Sequence, residues 1–199
     1  MIKLVIFDIG NVILRFDHHI TCNRLEKYSP YSQKEIYGMV FEDSILATYE
    51  KGKISSVDFF KIVKKRLSLD LGYEKFHTIW ADIFSEMEGM KELILALKGK
   101  AKLYILSNTD EIHFGYLKRK YAIFKNFDQY ILSFEAGARK PEKKIYRLAL
   151  ESAGTHPSSS LFIDDIEDYI LPFTRMGGNG HVFQGADDLR KRLKKHGLL

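Results

Sequence analysis

The segment Leu4-Val5-Ile6-Phe7-Asp8-Ile9-Gly10 decides the fold of this 199-residue chain. Four apolar residues lead directly into an aspartate, and a glycine follows two positions later. A short, uninterrupted apolar run is typical of a strand that is buried on both faces of a parallel sheet. In such sheets ligands bind at the carboxyl ends of the strands, so Asp8 is predicted to face a binding cleft.

The same kind of run recurs along the chain. Five short apolar runs favour strands: Lys3–Phe7, Leu103–Leu106, Gln129–Phe134, Leu161–Ile163 and His181–Phe183. Segments with helical periodicity separate the later runs: Glu111–Lys120, Glu142–Ser152 and Asp168–Met176, the last weakened by Pro172. Strands that alternate with helices predict an α/β fold, here a doubly wound, Rossmann-like core around a five-stranded parallel sheet.

The first two strands are separated by far more residues than one crossover helix needs. Much of this stretch has helical character, and Ser32 and Ser55 each precede an acidic residue by three positions, as in a helix N-cap. Another apolar stripe covers Lys75–Phe84. We therefore expect an α-helical cap domain at residues 15–85, inserted into a catalytic core of residues 1–14 and 86–199. Met90–Leu97 is then the first crossover helix of the core.

Polar side chains follow four of the predicted strands: Asp8 with Gly10, Ser107 with Asn108, Lys140 before Pro141, and Asp164 with Asp165. Each of the first three has an ordinary explanation by itself, namely a turn, a helix N-cap or a solvated lysine. Pro141 is expected at the first position of the next helix, where it would fix the direction of Lys140. Two adjacent carboxylates after a buried strand favour a metal site, because without a cation or donors they repel each other.

Together these four elements supply the groups that phosphoryl transfer requires. An aspartate can act as a nucleophile and form an aspartyl-phosphate. Mg²⁺, held by oxygen ligands, neutralises phosphate charge and aligns the ester. A lysine and nearby N–H donors stabilise the phosphoryl oxygens.

The order and spacing of the four motifs resemble the haloacid dehalogenase superfamily, specifically members with a helical cap inserted after the first motif. The motifs that carry the resemblance are Phe-Asp8-Ile-Gly-Asn-Val, Leu-Ser107-Asn-Thr, Gly-Ala-Arg-Lys140-Pro and Phe-Ile-Asp164-Asp165. Within the superfamily, the chain is most similar to the bacterial α-glucose-1-phosphate phosphatase-like group. The similarity extends over essentially the whole chain, including the cap.

The resemblance implies a role for each motif residue. Asp8 would be the nucleophile and a metal ligand, and the carbonyl of Gly10 a second ligand. Asp165 would bind Mg²⁺ directly and Asp164 through a water molecule. Ser107, Asn108 and Lys140 would hold the phosphoryl group. The cap loop that contains Lys51, Lys53 and Ser55 matches the region that selects the substrate in such proteins, although a plain helix–helix turn explains it equally well.

The chain departs from the superfamily pattern at Gly10, where most phosphatases carry a second aspartate as general acid and base. Asp17, His18 and His19 are candidates for this role by position. Without an acid there, we expect a preference for esters with good leaving groups, and a Gly10→Asp variant should gain most on poor ones. Tyr169 is a second departure, since relatives often have asparagine after the acidic pair.

These features favour a Mg²⁺-dependent phosphatase of small phosphorylated metabolites, with sugar phosphates among the candidates. A haloacid-type dehalogenase, or a non-catalytic protein that binds a phosphorylated ligand or a partner, remains an alternative. A nucleic-acid-binding role ranks last: the net charge of +5 attracts anions, but the basic run Arg190–Lys195 reads as a solvated helix face. The single Cys22, with no predicted membrane span or signal peptide, indicates a cytoplasmic protein.

Overall fold

The computed structural model describes all 199 residues and contains seven strands and eleven α-helices. The strands are β1 (Leu4–Phe7), β2 (Leu14–Phe16), β3 (Phe84–Glu86), β4 (Lys102–Ser107), β5 (Gln129–Leu132), β6 (Ser160–Asp164) and β7 (Asn179–Val182). The helices are α1 (His18–Leu25), α2 (Gln33–Val40), α3 (Ser44–Glu50), α4 (Ser56–Leu67), α5 (Tyr73–Ala81), α6 (Met90–Leu97), α7 (Glu111–Lys120), α8 (Ser133–Ala136), α9 (Lys143–Ala153), α10 (Glu167–Arg175) and α11 (Ala186–Lys195).

The main sheet has five strands in the order β5-β4-β1-β6-β7, and all neighbouring strands run parallel. β1 lies at the centre, and each of its four residues is buried. Val5 and Phe7 belong to one hydrophobic cluster, which includes residues of α6, α7 and α11. Leu4 and Ile6 belong to the cluster on the opposite face, with residues of α9 and α10. This alternation confirms the prediction of a parallel sheet covered on both faces.

Five helices, α1 to α5, lie between β2 and β3, which pair with each other in a separate antiparallel ladder. These helices share their own hydrophobic core, in which Trp80, Phe59 and Phe76 are fully buried. Ser32 forms a capping box with Glu35, and the Ser55 side chain caps α4, as the sequence predicted. The division of the chain at residues 15 and 85 into cap and core stays a prediction.

A buried polar contact joins the cap helices to the sheet core. Asp110 caps the N-terminus of α7 and pairs with His113 at 2.7 Å. The indole N–H of Trp80, on α5, donates to Asp110 at 3.1 Å, and His113 Nε2 lies 2.8 Å from the Trp80 carbonyl oxygen. Burial alone would lower the pKa of His113, but the neighbouring Asp110 carboxylate outweighs burial and raises it. The Asp110–His113 pair therefore gives both buried side chains a hydrogen-bond partner at a position that water does not reach.

Two local expectations were wrong. The predicted strand over Gln129–Phe134 ends at Leu132, because the chain turns into the short helix α8. Pro141 does not open α9, which begins at Lys143 with Glu142 as its N-cap. Instead Pro141 lies inside a turn that is closed by the Glu142 N–H, which donates to the Arg139 carbonyl at 2.8 Å.

Candidate active site

Three polar side chains meet where adjacent strands of the main sheet end. Asp8 directly follows β1, Ser107 is the last residue of β4, and Asp164 is the last residue of β6. The register pairs Phe7 with both Ile105 and Ile163, so these ends are level with one another across the sheet. Parallel strands thus bring together residues that are far apart in the sequence.

Asp8, Asp164 and Asp165 form a compact acidic cluster. Each contributes a carboxylate oxygen that lies within 4.8 Å of the other two, and Asp8 and Asp164 are buried. Burial, together with the negative charge of Asp8, raises the pKa of Asp164 to about 7 and also raises that of Asp165. Three close carboxylates need a compensating cation, and oxygen donors of this kind suit Mg²⁺. The donor set therefore fits the divalent ion that the sequence predicts.

Lys140 supplies positive charge to the same cluster. Its ammonium group is fully buried, 2.6 Å from an Asp164 oxygen and 2.9 Å from Asp8 Oδ1. Burial by itself lowers the pKa of Lys140, but the two carboxylates outweigh burial and raise it. The lysine therefore stays charged and holds two acidic side chains in place. The Lys140 ammonium also lies 5.0 Å from the ring centroid of Tyr169. Tyr169, the second departure from the motif pattern, therefore contacts a residue of the site.

Asn108 fixes the backbone that presents Lys140. Its side-chain carbonyl accepts from the Lys140 N–H at 2.8 Å, and its side-chain amide donates to the Lys140 carbonyl at 3.1 Å. Ser107 is buried beside it and makes no short hydrogen bond to a protein side chain. The structure thus brings Ser107, Asn108 and Lys140 to the acidic cluster; their role in holding a phosphoryl group stays a prediction.

Asn11 belongs to the site and was not among the residues singled out from the sequence. Its side-chain amide donates to Asp165 at 3.3 Å. The residue has a φ of +52°, a left-handed conformation that asparagine tolerates better than most residues. Its place three residues after Asp8 gave the signal, since the tight turn after β1 returns Asn11 to the same edge of the sheet.

A cleft with a cavity volume of about 60 Å³ lies between the ends of the strands and the cap helices. Its core wall includes Gly10, Ser107 and Asn108, and its cap wall includes Leu46 and Glu50. A cavity of this size has room for a few water molecules or a group of similar size. The cleft borders the acidic cluster through residues adjacent to Asp8.

The three cap residues predicted to select the substrate do not line this cleft. Lys51 pairs with Glu142 of the core at 2.7 Å, and Ser55 hydrogen-bonds to Asp58 as the cap of α4. Lys53 is exposed to solvent. Their role in specificity stays a prediction, but the residue of this loop that lines the cleft is Glu50, which no sequence motif predicts.

Of the three candidates for proton transfer, the structure places His18 alone on the cleft. Asp17 caps α1 by accepting from the His19 N–H at 2.8 Å, and His19 is exposed and stacks on Tyr37. Burial, with a smaller contribution from His113, lowers the pKa of His18 to about 4. His18 is therefore neutral at neutral pH.

Phe16 occupies the space beside Gly10. A Cβ atom on residue 10 would lie 2.6 Å from Cε1 and 2.9 Å from Cδ1 of the Phe16 ring. The structure therefore contradicts a simple gain of function in Gly10→Asp, because the added carboxylate has no room unless the ring moves.

We expect Gly10→Asp to lower the free energy of unfolding by about 1–3 kcal/mol through overpacking. It should also lower, rather than raise, activity on esters with poor leaving groups. Urea denaturation and steady-state kinetics measure the two effects. In the Phe16→Ala background, which lacks the ring, the same Gly10→Asp substitution should cost much less stability than in the wild type. A Gly10→Asp variant as stable as the wild type would contradict the steric argument.

A family model for haloacid dehalogenase-like hydrolases matches residues 2–177, which is most of the chain. The chain belongs to this family. The family predicted from the four motifs is thereby confirmed; the α-glucose-1-phosphate phosphatase-like group stays a prediction.

A curated protein and a solved structure, both from Bacteroides thetaiotaomicron, resemble nearly the full chain. A D-ribitol-5-phosphate phosphatase is 26% identical over 200 residues, which is 97% of each protein. A solved family enzyme, in complex with magnesium and inorganic phosphate, superposes with a TM-score of 0.83 at 24% identity, covering 93% of this chain and 96% of the other. L-2-haloacid dehalogenase from Xanthobacter autotrophicus has a TM-score of 0.65 at 19% identity, covering 90% and 76% of the two chains. These structural likenesses confirm the predicted fold.

Proposed function

We propose that this protein is a Mg²⁺-dependent phosphoric monoester hydrolase that acts on small phosphorylated metabolites of the polyol or sugar type, in the cytoplasm. The observation that carries the proposal is the cluster of Asp8, Asp164 and Asp165 around the buried ammonium of Lys140. The full-length similarity to a D-ribitol-5-phosphate phosphatase supports the substrate class. No helix of the chain is long and apolar enough to cross a bilayer.

Asp8 is the nucleophile in the proposed reaction. Its carboxylate attacks phosphorus, the bond from phosphorus to the ester oxygen breaks, and an aspartyl-phosphate forms on Asp8. Lys140 orients Asp8 and faces the oxygens of the transferred group as they gain negative charge. Water then attacks phosphorus, which releases inorganic phosphate and restores the Asp8 carboxylate.

The remaining residues hold this arrangement. Asp165, Asp164 and Asp8 would bind Mg²⁺ together with the carbonyl of Gly10, and the bound ion would neutralise phosphate charge. Asn108 keeps the turn of Lys140 in place, and Ser107 offers a hydroxyl on the core wall of the cleft. The cap closes the opposite side of the cleft and limits the access of water during transfer.

The acidic pair also separates this proposal from the dehalogenase alternative. Dehalogenation by an aspartate nucleophile needs no metal, so a dehalogenase would have no use for Asp164 and Asp165 as metal ligands. A phosphatase uses both.

A screen of phosphorylated metabolites with and without Mg²⁺ tests the proposed function. We expect release of inorganic phosphate from at least one polyol or sugar phosphate, and loss of that activity when EDTA is present. Chloride release from a 2-chlorocarboxylic acid should stay at background. Halide release that persists in EDTA, or phosphate-ester binding without turnover at any metal concentration, would contradict it.

A further inference from the structure

The missing aspartate at Gly10 leaves open which group handles the proton of the departing alcohol. In the proposed reaction this proton must come from the cleft, because Phe16 fills the space beside Gly10. Four titratable side chains line the cleft: Asp110, His18, Glu50 and His113. Asp110 already accepts hydrogen bonds from the His113 backbone N–H and the Trp80 indole N–H. The three that remain are His18, Glu50 and His113. The geometry distinguishes among these three.

His113 and His18 fit the role poorly. His113 Nδ1 pairs with Asp110 and its Nε2 contacts the Trp80 carbonyl, so both ring nitrogens are engaged. His18 is neutral at neutral pH because burial lowers its pKa to about 4. A neutral imidazole is a weak acid and gives up its N–H proton with difficulty.

Glu50 has a carboxyl group with unused hydrogen-bonding capacity. It ends α3 on the cap side of the cleft, and its Oε2 atom is buried without a hydrogen-bond partner. The nearest cation is the Arg139 guanidinium, whose terminal nitrogen lies 2.9 Å from Oε2. Arg139 compensates the charge of this oxygen, and a water or ligand in the adjoining cleft would supply the hydrogen bond that it lacks.

The chain around Glu50 is held firmly against the core. Gly52 has a φ of +65°, and a Cβ atom there would lie 2.0 Å from the backbone oxygen of Phe134, so only glycine allows this approach. Lys51 adds its ion pair with Glu142. Together with the Glu50–Arg139 pair, these contacts hold three consecutive cap residues against α8 and the turn that presents Lys140.

We propose that Glu50 is the general acid and base of this enzyme, taking the place of the aspartate that Gly10 lacks. The proposal rests on the proposed phosphatase function. As the phosphorus–oxygen bond breaks, Glu50 gives its proton to the departing oxygen, which leaves as a neutral alcohol. The Glu50 carboxylate then accepts a proton from the water that attacks the aspartyl-phosphate, so inorganic phosphate forms and Glu50 is protonated again.

The electrostatic surroundings suit this cycle. Burial raises the pKa of Glu50 to about 7, against the opposing effect of Arg139. A group that is half protonated near neutral pH can both donate and accept a proton. The charged and titratable groups that face Glu50 lie on several elements: Arg139 and Lys140 in the turn before α9, Asp110 and His113 at the start of α7, and His18 on α1.

Glu50→Gln tests the assignment, because it keeps the shape of the side chain and removes the proton. The measurement is kcat/KM for 4-nitrophenyl phosphate, phenyl phosphate and D-ribitol 5-phosphate, which are ordered by increasingly poor leaving groups. We expect a loss of about 10²–10⁴-fold on ribitol 5-phosphate and less than about tenfold on 4-nitrophenyl phosphate. The wild type should show a shallow dependence on the leaving group, which replaces the preference for good leaving groups expected from the sequence.

The matched control is Glu42→Gln, the same substitution at an exposed cap position that does not line the cleft. It should behave as the wild type on all three esters. An equal loss on the three esters in Glu50→Gln would assign Glu50 a structural or binding role and overturn the proposal, as would no loss at all. Failure of the wild type on every ester would instead count against the proposed phosphatase function.

The pH profile supplies a second readout that needs no Glu50 variant. Glu50 must be protonated to donate, so kcat/KM for ribitol 5-phosphate should fall as pH rises through about 7, whereas the value for 4-nitrophenyl phosphate should not. Because the Arg139 charge lowers the pKa of Glu50, Arg139→Met should move this fall to higher pH. Parallel profiles for the two esters, or an unmoved profile in Arg139→Met, would overturn the assignment.

Discussion

Asp8→Asn is expected to reduce kcat by at least about 10³-fold while leaving the fold intact. An amide has nearly the same shape as a carboxylate but is a poor nucleophile, and losses of several orders of magnitude are typical when a nucleophile is removed. Asp8 follows the central strand, and its Oδ1 lies 2.9 Å from the Lys140 ammonium. Lys140 keeps its second partner, Asp164, so the variant retains a buried ion pair.

The measurement is turnover of the best substrate from the screen, with circular dichroism to confirm the fold. Mass spectrometry of rapidly quenched samples should find a phosphorylated protein in the wild type and none in Asp8→Asn. Asp187→Asn, an exposed aspartate on α11, serves as the control and should retain full activity. Residual turnover above about 1% in a folded Asp8→Asn protein would show that another group is the nucleophile.

The sheet core was largely predictable, because burial on both faces of a parallel strand demands a continuous apolar run. β1, β4 and β6 have such runs, and the polar residue at the end of each stands out against them. Helix ends were predictable where a side chain performs the capping, as Ser32 does for α2. The three carboxylates of the acidic cluster could therefore be named from the sequence.

The elements that were missed depend on contacts between distant residues. β2 and β3 have three residues each and form only because they pair with each other, so neither carries a periodic pattern. Asp110 and His113 look like an ordinary helix start until Trp80 is placed beside them. Glu50 is one of many glutamates in the sequence, and its place on the cleft depends on contacts between cap and core, such as its pair with Arg139 and the approach of Gly52 to Phe134.

Asp165→Asn is expected to weaken Mg²⁺ binding by at least about 100-fold, and Asp164→Asn should weaken it less. The contacts of the two side chains differ. Asp164 is already engaged, since one oxygen accepts from the Ile166 N–H at 2.9 Å and the other lies 2.6 Å from Lys140 Nζ. Asp165 accepts one long hydrogen bond, from Asn11 at 3.3 Å, and so has more capacity to bind a cation directly.

Stability should respond in the opposite order. Asp164→Asn removes one charge-assisted hydrogen bond to the buried Lys140 ammonium, which keeps Asp8 as its second partner, so the substitution should cost about 1–3 kcal/mol, or roughly 3–10 °C in Tm for a chain of this size. Asp165→Asn relieves like-charge repulsion and should leave the Tm of the metal-free protein unchanged or slightly raised. Isothermal titration calorimetry with Mg²⁺ and thermal denaturation in EDTA measure the two effects separately from activity. If both variants lose the same Mg²⁺ affinity and the same stability, then Asp164 and Asp165 do not divide these roles, and both would have to bind the ion in equivalent ways.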